Sequence, residues 1–146
     1  VSPYRIDLAR RLSGGTVVDA NEMDPVAAVK ELTNGKGAEG VLECSGSGIA
    51  RTQTAALAAR HGTVVVVGAG AEEITFTFTD ILRKALTIRG NAVFSMAAYF
   101  DTVEFLQNNN VPLDDMVTHR FTIDQGVEAF RLFDTGQTGK VIFEWA

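Results

Sequence analysis

Two hydrophobic periods alternate along this chain. Apolar Ile6, Leu8, Ala9 and Leu12 recur at helical spacing after an extended Val-Ser-Pro, which predicts a helix over residues 4–12 that "SGG" ends. "TVVDA" (16–20) reads as a short β-branched strand. In "DPVAAVKELTNGKG" Asp24 is placed as N-cap and Pro25 at the first helical position, with Val26, Val29 and Leu32 spaced for one face. "AEGVLECSG" (38–46) predicts a buried strand, and "GIARTQTAALAARHG" (48–62) a helix with small residues on one side. The strongest strand is "TVVVVGAGA" (63–71), whose four consecutive valines suit a parallel strand covered on both faces.

Further on, "EEITFTFTD" (72–80) alternates with period two and predicts a strand with a wet face or an edge position. "TDILRKA" predicts a short helix capped by Thr79 or Asp80, and "LTIRGNAVF" a strand ending at Gly90. The remainder predicts a helix near 96–107, a turn at "NNNVPLDD", a strand at "VTHRFTI", a helix near 124–133 and a last strand at "GKVIFEW". Strand–helix–strand alternation at this spacing defines an α/β fold with a doubly wound parallel sheet.

Composition narrows the partners. At 146 residues the chain is long enough to bury a sizeable core. Its net charge of −5, with basic residues scattered singly or in pairs, leaves no basic stripe for nucleic acid. A single cysteine excludes an internal disulfide and a thiolate-based zinc site within the chain. No apolar run approaches the ~20 residues of a membrane span, and no signal peptide is visible, so a cytoplasmic protein without a membrane partner is expected. The start, without a Met and already helical in pattern, reads as the interior of a longer polypeptide.

Candidate chemistry concentrates at strand ends. "GSGIAR" (46–51) follows a strand and precedes a helix, but Arg51 stands where a dinucleotide fingerprint needs Gly or Ala, and no acidic residue ends the next strand. "GAGAEE" (68–73) leads into a β-like stretch rather than a helix, so neither fingerprint is complete. Cys44 as a nucleophile would require a nearby base; inside a buried strand pattern it reads instead as a small core hydrophobe. His119 reads as a structural or rim residue, and Asp114 and Asp115 as a solvated turn. Glu43, at a strand's carboxyl end, suits either ligand hydrogen bonding or a buried structural carboxylate. The better clue is backbone: "ECSG", "VVGAG" and "IRGNA" place glycine at three strand ends, where open parallel sheets bind ligands.

The stretches "TNGKGAE…ECSGS", "RHGTVVVVGAG", "RKALTIRG" and "VTHRF…EAF…GKV" resemble zinc-type medium-chain alcohol dehydrogenases, in particular the threonine and sorbitol dehydrogenase branch, over essentially the whole chain. The resemblance implies a partial Rossmann-type sheet lacking its first two strands, with "TVVDA" as the third strand, "VLECSG" the fourth, "VVVVGA" the fifth and "LTIRGN" the sixth. Residues 1–92 would form part of the dinucleotide-binding domain and 93–146 the C-terminal return to the catalytic domain.

The same resemblance implies NAD, or NADP, as cofactor. Arg5 would lie by the adenosine ribose, and Ser45 and Gly46 beside the adenosine half. Val67, Gly68, Ala69, Asn91 and Ala92 would meet the nicotinamide end, and Lys140 the pyrophosphate. The parent enzyme would transfer hydride from a zinc-bound alcohol, polyol or amino alcohol, but this chain carries no zinc ligand and no catalytic residue, so alone it is expected to be inactive. A third strand without its neighbours, and an exposed edge on the fourth, imply a fragment of a longer enzyme, or else folding by rearrangement or by edge-to-edge pairing into a homo-oligomer. The alternative from a different class is a non-catalytic α/β interaction or regulatory module.

Overall fold

The computed structural model describes residues 2–75 and 77–145. In chain order the elements are α1 (Pro3–Leu12), α2 (Pro25–Leu32), β1 (Ala38–Glu43), α3 (Gly48–Leu57), β2 (Ala58–Val66), α4 (Phe78–Lys84), β3 (Thr87–Gly90), α5 (Met96–Asn108), β4 (Val117–Phe121), α6 (Gly126–Asp134) and β5 (Lys140–Phe143). They fall into two compact units, Met23–Tyr99 and Val1–Glu22 with Phe100–Ala146. The grouping differs from a single cut at 92/93 in that the first 22 residues cluster with the C-terminal stretch.

The unit Met23–Tyr99 is built on a parallel three-stranded sheet in the order β1-β2-β3. Asp24 caps α2 as its sequence position predicts, accepting from the Val26 amide at 2.9 Å. Val64 of the valine run is fully buried in the middle strand. Helix α3 packs on β1 and β2, while α2 packs on α3 and α4 on β2. The sheet is therefore parallel and helix-covered, as the βαβ alternation requires.

Three local expectations are corrected. Residues 16–20 form no strand; "TVVDA" has no neighbouring strand among the described residues to complete a ladder. The helix expected over 48–62 stops at Leu57, because Ala58 already pairs with Ala38 of β1. The small residues "AALAA" suit a helix face and a tight sheet equally, and burial of Ala58 and Ala59 decides for the sheet. His61, at φ 61°, absorbs a bulge before pairing resumes at Gly40 and Thr63. The strand expected over 72–80 is also absent: residues 72–75 are irregular and α4 begins at Phe78 with Thr77, not Thr79 or Asp80, as its cap. Phe76 of that stretch, like Val1 of the extended start, lies outside the described residues.

In the other unit β4 and β5 pair in parallel, from Val117 with Lys140 to Phe121 with Phe143. Helix α1 is capped by Ser2, whose hydroxyl also donates to the Gly136 carbonyl. Gly139 lets this corner close, since a Cβ there would meet Leu8 Cδ2 and, at 2.9 Å, the Met116 carbonyl.

Candidate functional site

The geometry of the site starts from register. Glu43 of β1 pairs with Val66 of β2, and Val66 with Gly90 of β3. Three parallel strands thus end level with one another, and their carboxyl ends release Ser45 and Gly46, then Val67, Gly68 and Ala69, then Asn91 and Ala92, along one sheet edge. The Asn91 amide still bonds the Val66 carbonyl at 2.9 Å, which extends the level edge by one residue. Ser45, Val67, Ala69, Asn91 and Ala92 are exposed there, and Gly68 is half-buried.

Strand alternation selects which side chain turns inward at the end of β1. Glu43 is buried and Cys44, one residue past the strand, is exposed. The expectation that Cys44 is a core hydrophobe is therefore corrected: the strand ends at Glu43 rather than running to Gly46, and the inward position belongs to Glu43. One Glu43 carboxylate oxygen accepts from the Ser45 amide at 2.7 Å, the Ser45 hydroxyl at 2.6 Å and the Gly46 amide at 2.9 Å. Its backbone carbonyl accepts from the Val67 and Gly68 amides. A single residue so joins the turn after β1 to the segment after β2.

The Ser45 hydroxyl, first among the causes, holds the Glu43 carboxyl below its ordinary value of 4.5; the two backbone amides and Arg51 add to this against the opposing effect of burial. Stability drawn from this group is complete above 4.5 and is lost as pH falls through the lowered native value. Glu43→Gln is accordingly expected to lower the urea midpoint at neutral pH, with the gap to the unsubstituted chain closing on acidification. A gap independent of pH would exclude this linkage.

The Gly-Ser-Gly sequence is not an open phosphate loop. Ser47 makes no side-chain cap for α3; the Gly48 amide, at the first position of the helix, instead donates to the Glu72 carboxylate. The chain's own anion occupies the place where a phosphate would sit. A Cβ at Gly46, which stands at φ 72°, would overlap the Ala69 carbonyl, and one at Gly70 would overlap the Gly46 carbonyl. Here the glycines permit backbone to meet backbone. Arg51, the residue that spoils the fingerprint, donates to the Gly68 carbonyl at 2.7 Å and the Gly70 carbonyl at 3.0 Å.

The other predicted residues, Arg5 and Lys140, belong to the other unit. Arg5 Nε donates to the Thr138 carbonyl at 3.0 Å, and its guanidinium lies 5.1 Å above the Phe133 ring. Lys140 opens β5 and is exposed. His119 is half-buried, with the Thr118 hydroxyl 2.9 Å from Nδ1 and Phe121 stacked alongside. Asp114 and Asp115 form an exposed 3-10 turn. Among the described residues no group of three or more His, Cys, Asp or Glu side chains could hold a metal ion, and no helix is long and apolar enough to cross a membrane. Sequence reasoning missed Arg51 and Glu72 as parts of this corner. Their sequence signal was a charge two or three residues past a glycine turn.

Level carboxyl ends on a helix-covered parallel sheet define a Rossmann-like α/β protein. Residues 1–108 match the family described as "Zinc-binding dehydrogenase", and the chain belongs to that family. It is 33% identical to an L-threonine 3-dehydrogenase of Bacillus licheniformis over 141 residues, covering 95% of this chain and 41% of that protein. A sorbitol dehydrogenase of Halalkalibacterium halodurans is 32% identical, with 94% of this chain and 40% of that protein covered. In structure the chain resembles the benzyl alcohol dehydrogenase of Acinetobacter calcoaceticus, with a TM-score of 0.86 at 29% identity over 97% of this chain and 40% of that one. The chain thus spans about two-fifths of the length of the relatives it matches.

Proposed function

We propose that this chain is the cofactor-binding part of an NAD(P)-linked, zinc-dependent dehydrogenase that oxidises an alcohol, polyol or amino alcohol by hydride transfer. The observation that carries this reading is the level end of three parallel strands at Glu43, Val66 and Gly90, the edge at which open α/β sheets bind ligands. Ser45 and Gly46 would flank the adenosine half, and Val67, Gly68, Ala69, Asn91 and Ala92 the nicotinamide and its carboxamide. Arg5, by the ribose, and Lys140, by the pyrophosphate, would supply the cations that a dinucleotide favours. NAD is the preferred cofactor and NADP the alternative. Zinc, held by residues elsewhere in the enzyme, would act as Lewis acid on the alcohol.

The named activities of the relatives cover an amino alcohol, a polyol and an aromatic alcohol, which supports the substrate class and leaves its member open. Residues 1–92 would be the dinucleotide-binding share and 93–146 the return toward the catalytic domain. In one unit Leu42, Phe78 and Leu82 are exposed, and in the other Phe130 and Trp145. Soluble monomers rarely show so much apolar surface. With β1 an edge strand among the described residues, this supports a surface covered by further chain or by a second copy, in a protein that we place in the cytoplasm.

The test is titration of the chain with NADH, followed by amide resonances and NADH fluorescence. Weak, saturable shifts at Ser45, Gly46, residues 67–69, Asn91 and Ala92, without turnover of alcohols, are the expected result. Saturable shifts confined to other residues, or none, would exclude the cofactor reading.

A further inference from the structure

The dinucleotide edge described above has a second layer behind it. We propose that Arg51, seated against the buried Glu43 carboxylate, is a positioning residue. It holds residues 67–70 against the turn at Ser45 and Gly46, and so sets the affinity for the nicotinamide half of a dinucleotide. The proposal rests on the cofactor reading and adds to it a residue that contacts no cofactor atom.

Three contacts of one planar group make the clasp. Arg51 Nη2 and Nη1 donate to the carbonyls of Gly68 and Gly70, and Nε lies 3.6 Å from Glu43 Oε2. The Arg51 and Glu43 side chains are 13% and 2% exposed. Nε and Oε2 are buried and neither has a hydrogen-bond partner of its own, so the guanidinium sits where the two carbonyls draw it rather than where the ion pair alone would. A buried ion pair adds little net stability over an apolar pair of equal volume, whereas a rigid fork on two carbonyls fixes geometry. The geometry needs fixing: past the Asn91 bond to Val66 the segment leaves the ladder, and residues 67–75 have no regular structure. Glu43 anchors both sides, since its other oxygen holds Ser45 and Gly46 and its carbonyl holds the Val67 and Gly68 amides. Arg51 therefore closes a ring from the β1 turn to the β2 turn and back.

Arg51→Lys keeps the charge against Glu43 but cannot span both carbonyls. Its unfolding midpoint is expected to stay close to that of the unsubstituted chain, while NADH binding weakens about ten-fold, the size of one charge-assisted hydrogen bond. ADP-ribose, which lacks the nicotinamide, is expected to bind within about two-fold of its original affinity, because a factor of two lies well below the loss of one such bond. Amide hydrogens of Val67 and Gly68 are expected to exchange faster. The double substitution Arg51→Met with Glu43→Gln, which leaves no unpaired buried charge, should reproduce the same split. Equal losses for NADH and ADP-ribose, or unchanged exchange at Val67 and Gly68, would overturn the proposal in favour of a purely stabilising role. If the unsubstituted chain binds no NADH, the cofactor reading fails and the ligand half of this proposal with it. The exchange measurement then still decides whether Arg51 holds the segment.

Discussion

Gly46→Ala is expected to lower the unfolding free energy by about 3 kcal/mol or more, loosening the whole β1–α3 corner. Two costs add. The residue stands at φ 72°, where a side chain costs roughly 1–2 kcal/mol. The new methyl would also overlap the Ala69 carbonyl, with the Gly70 amide behind it. That neighbour is backbone and cannot swing aside, so the overlap adds about 1–3 kcal/mol of strain. Gly40 is the control. It lies in β1 with nothing within 4 Å of the position a methyl would take and no positive φ, so Gly40→Ala is expected to be neutral or slightly stabilising. Urea unfolding of both variants checks the contrast, and a Gly46→Ala midpoint equal to that of Gly40→Ala would contradict the close backbone approach.

Lys84→Met carries the second large effect. Helix α3 stops abruptly at Leu57 and turns straight into β2, so its last carbonyls have no continuing helix to bond. The Lys84 ammonium reaches over from α4 and donates to the carbonyls of Ala55, Ala56 and Ala58 at 2.7, 3.1 and 2.8 Å. Ala55 and Ala58 are buried, which leaves water poor access to those oxygens. Methionine keeps the volume and removes every donor. Bonds to a charged group contribute roughly 1.5–3 kcal/mol each, and partial rehydration reduces their sum, so a loss of about 3 kcal/mol is expected. Thermal unfolding should show it as a drop of roughly 10 °C. A shift of only a degree or two would mean that water replaces the ammonium without penalty.

The pattern along the chain was sufficient for most elements and insufficient wherever two structures suited the same residues. The valine run, the Asp24 cap and the strand before Gly90 were legible because each signal is local: side-chain branching, a cap oxygen, a glycine at the turn. "TVVDA" and "EEITFTFTD" carry strand chemistry just as clearly, yet none of their described residues is in a strand, because a strand exists only where another backbone lies beside it. The "AALAA" stretch failed for the opposite reason, its small residues fitting helix and sheet alike until pairing of Ala58 with Ala38 decided. At the site, the glycines were read as openings for a ligand, and only the structure shows that Gly46 and Gly70 are also places where two backbone segments touch.

What the residues alone determined is most of the elements in their order, the parallel character of the main sheet, the family, and the glycine turns at the strand ends. These follow from periodicity and local turn chemistry, which need no knowledge of distant neighbours. Tertiary structure decided that Glu43 faces inward and Cys44 outward, and that Glu72 takes the N-terminus of α3. It also turned Arg51, an interruption of a fingerprint in the sequence, into the clasp between two turns. Each of these depends on register and on contacts across 17 to 24 residues of chain, set when the strands align and not before.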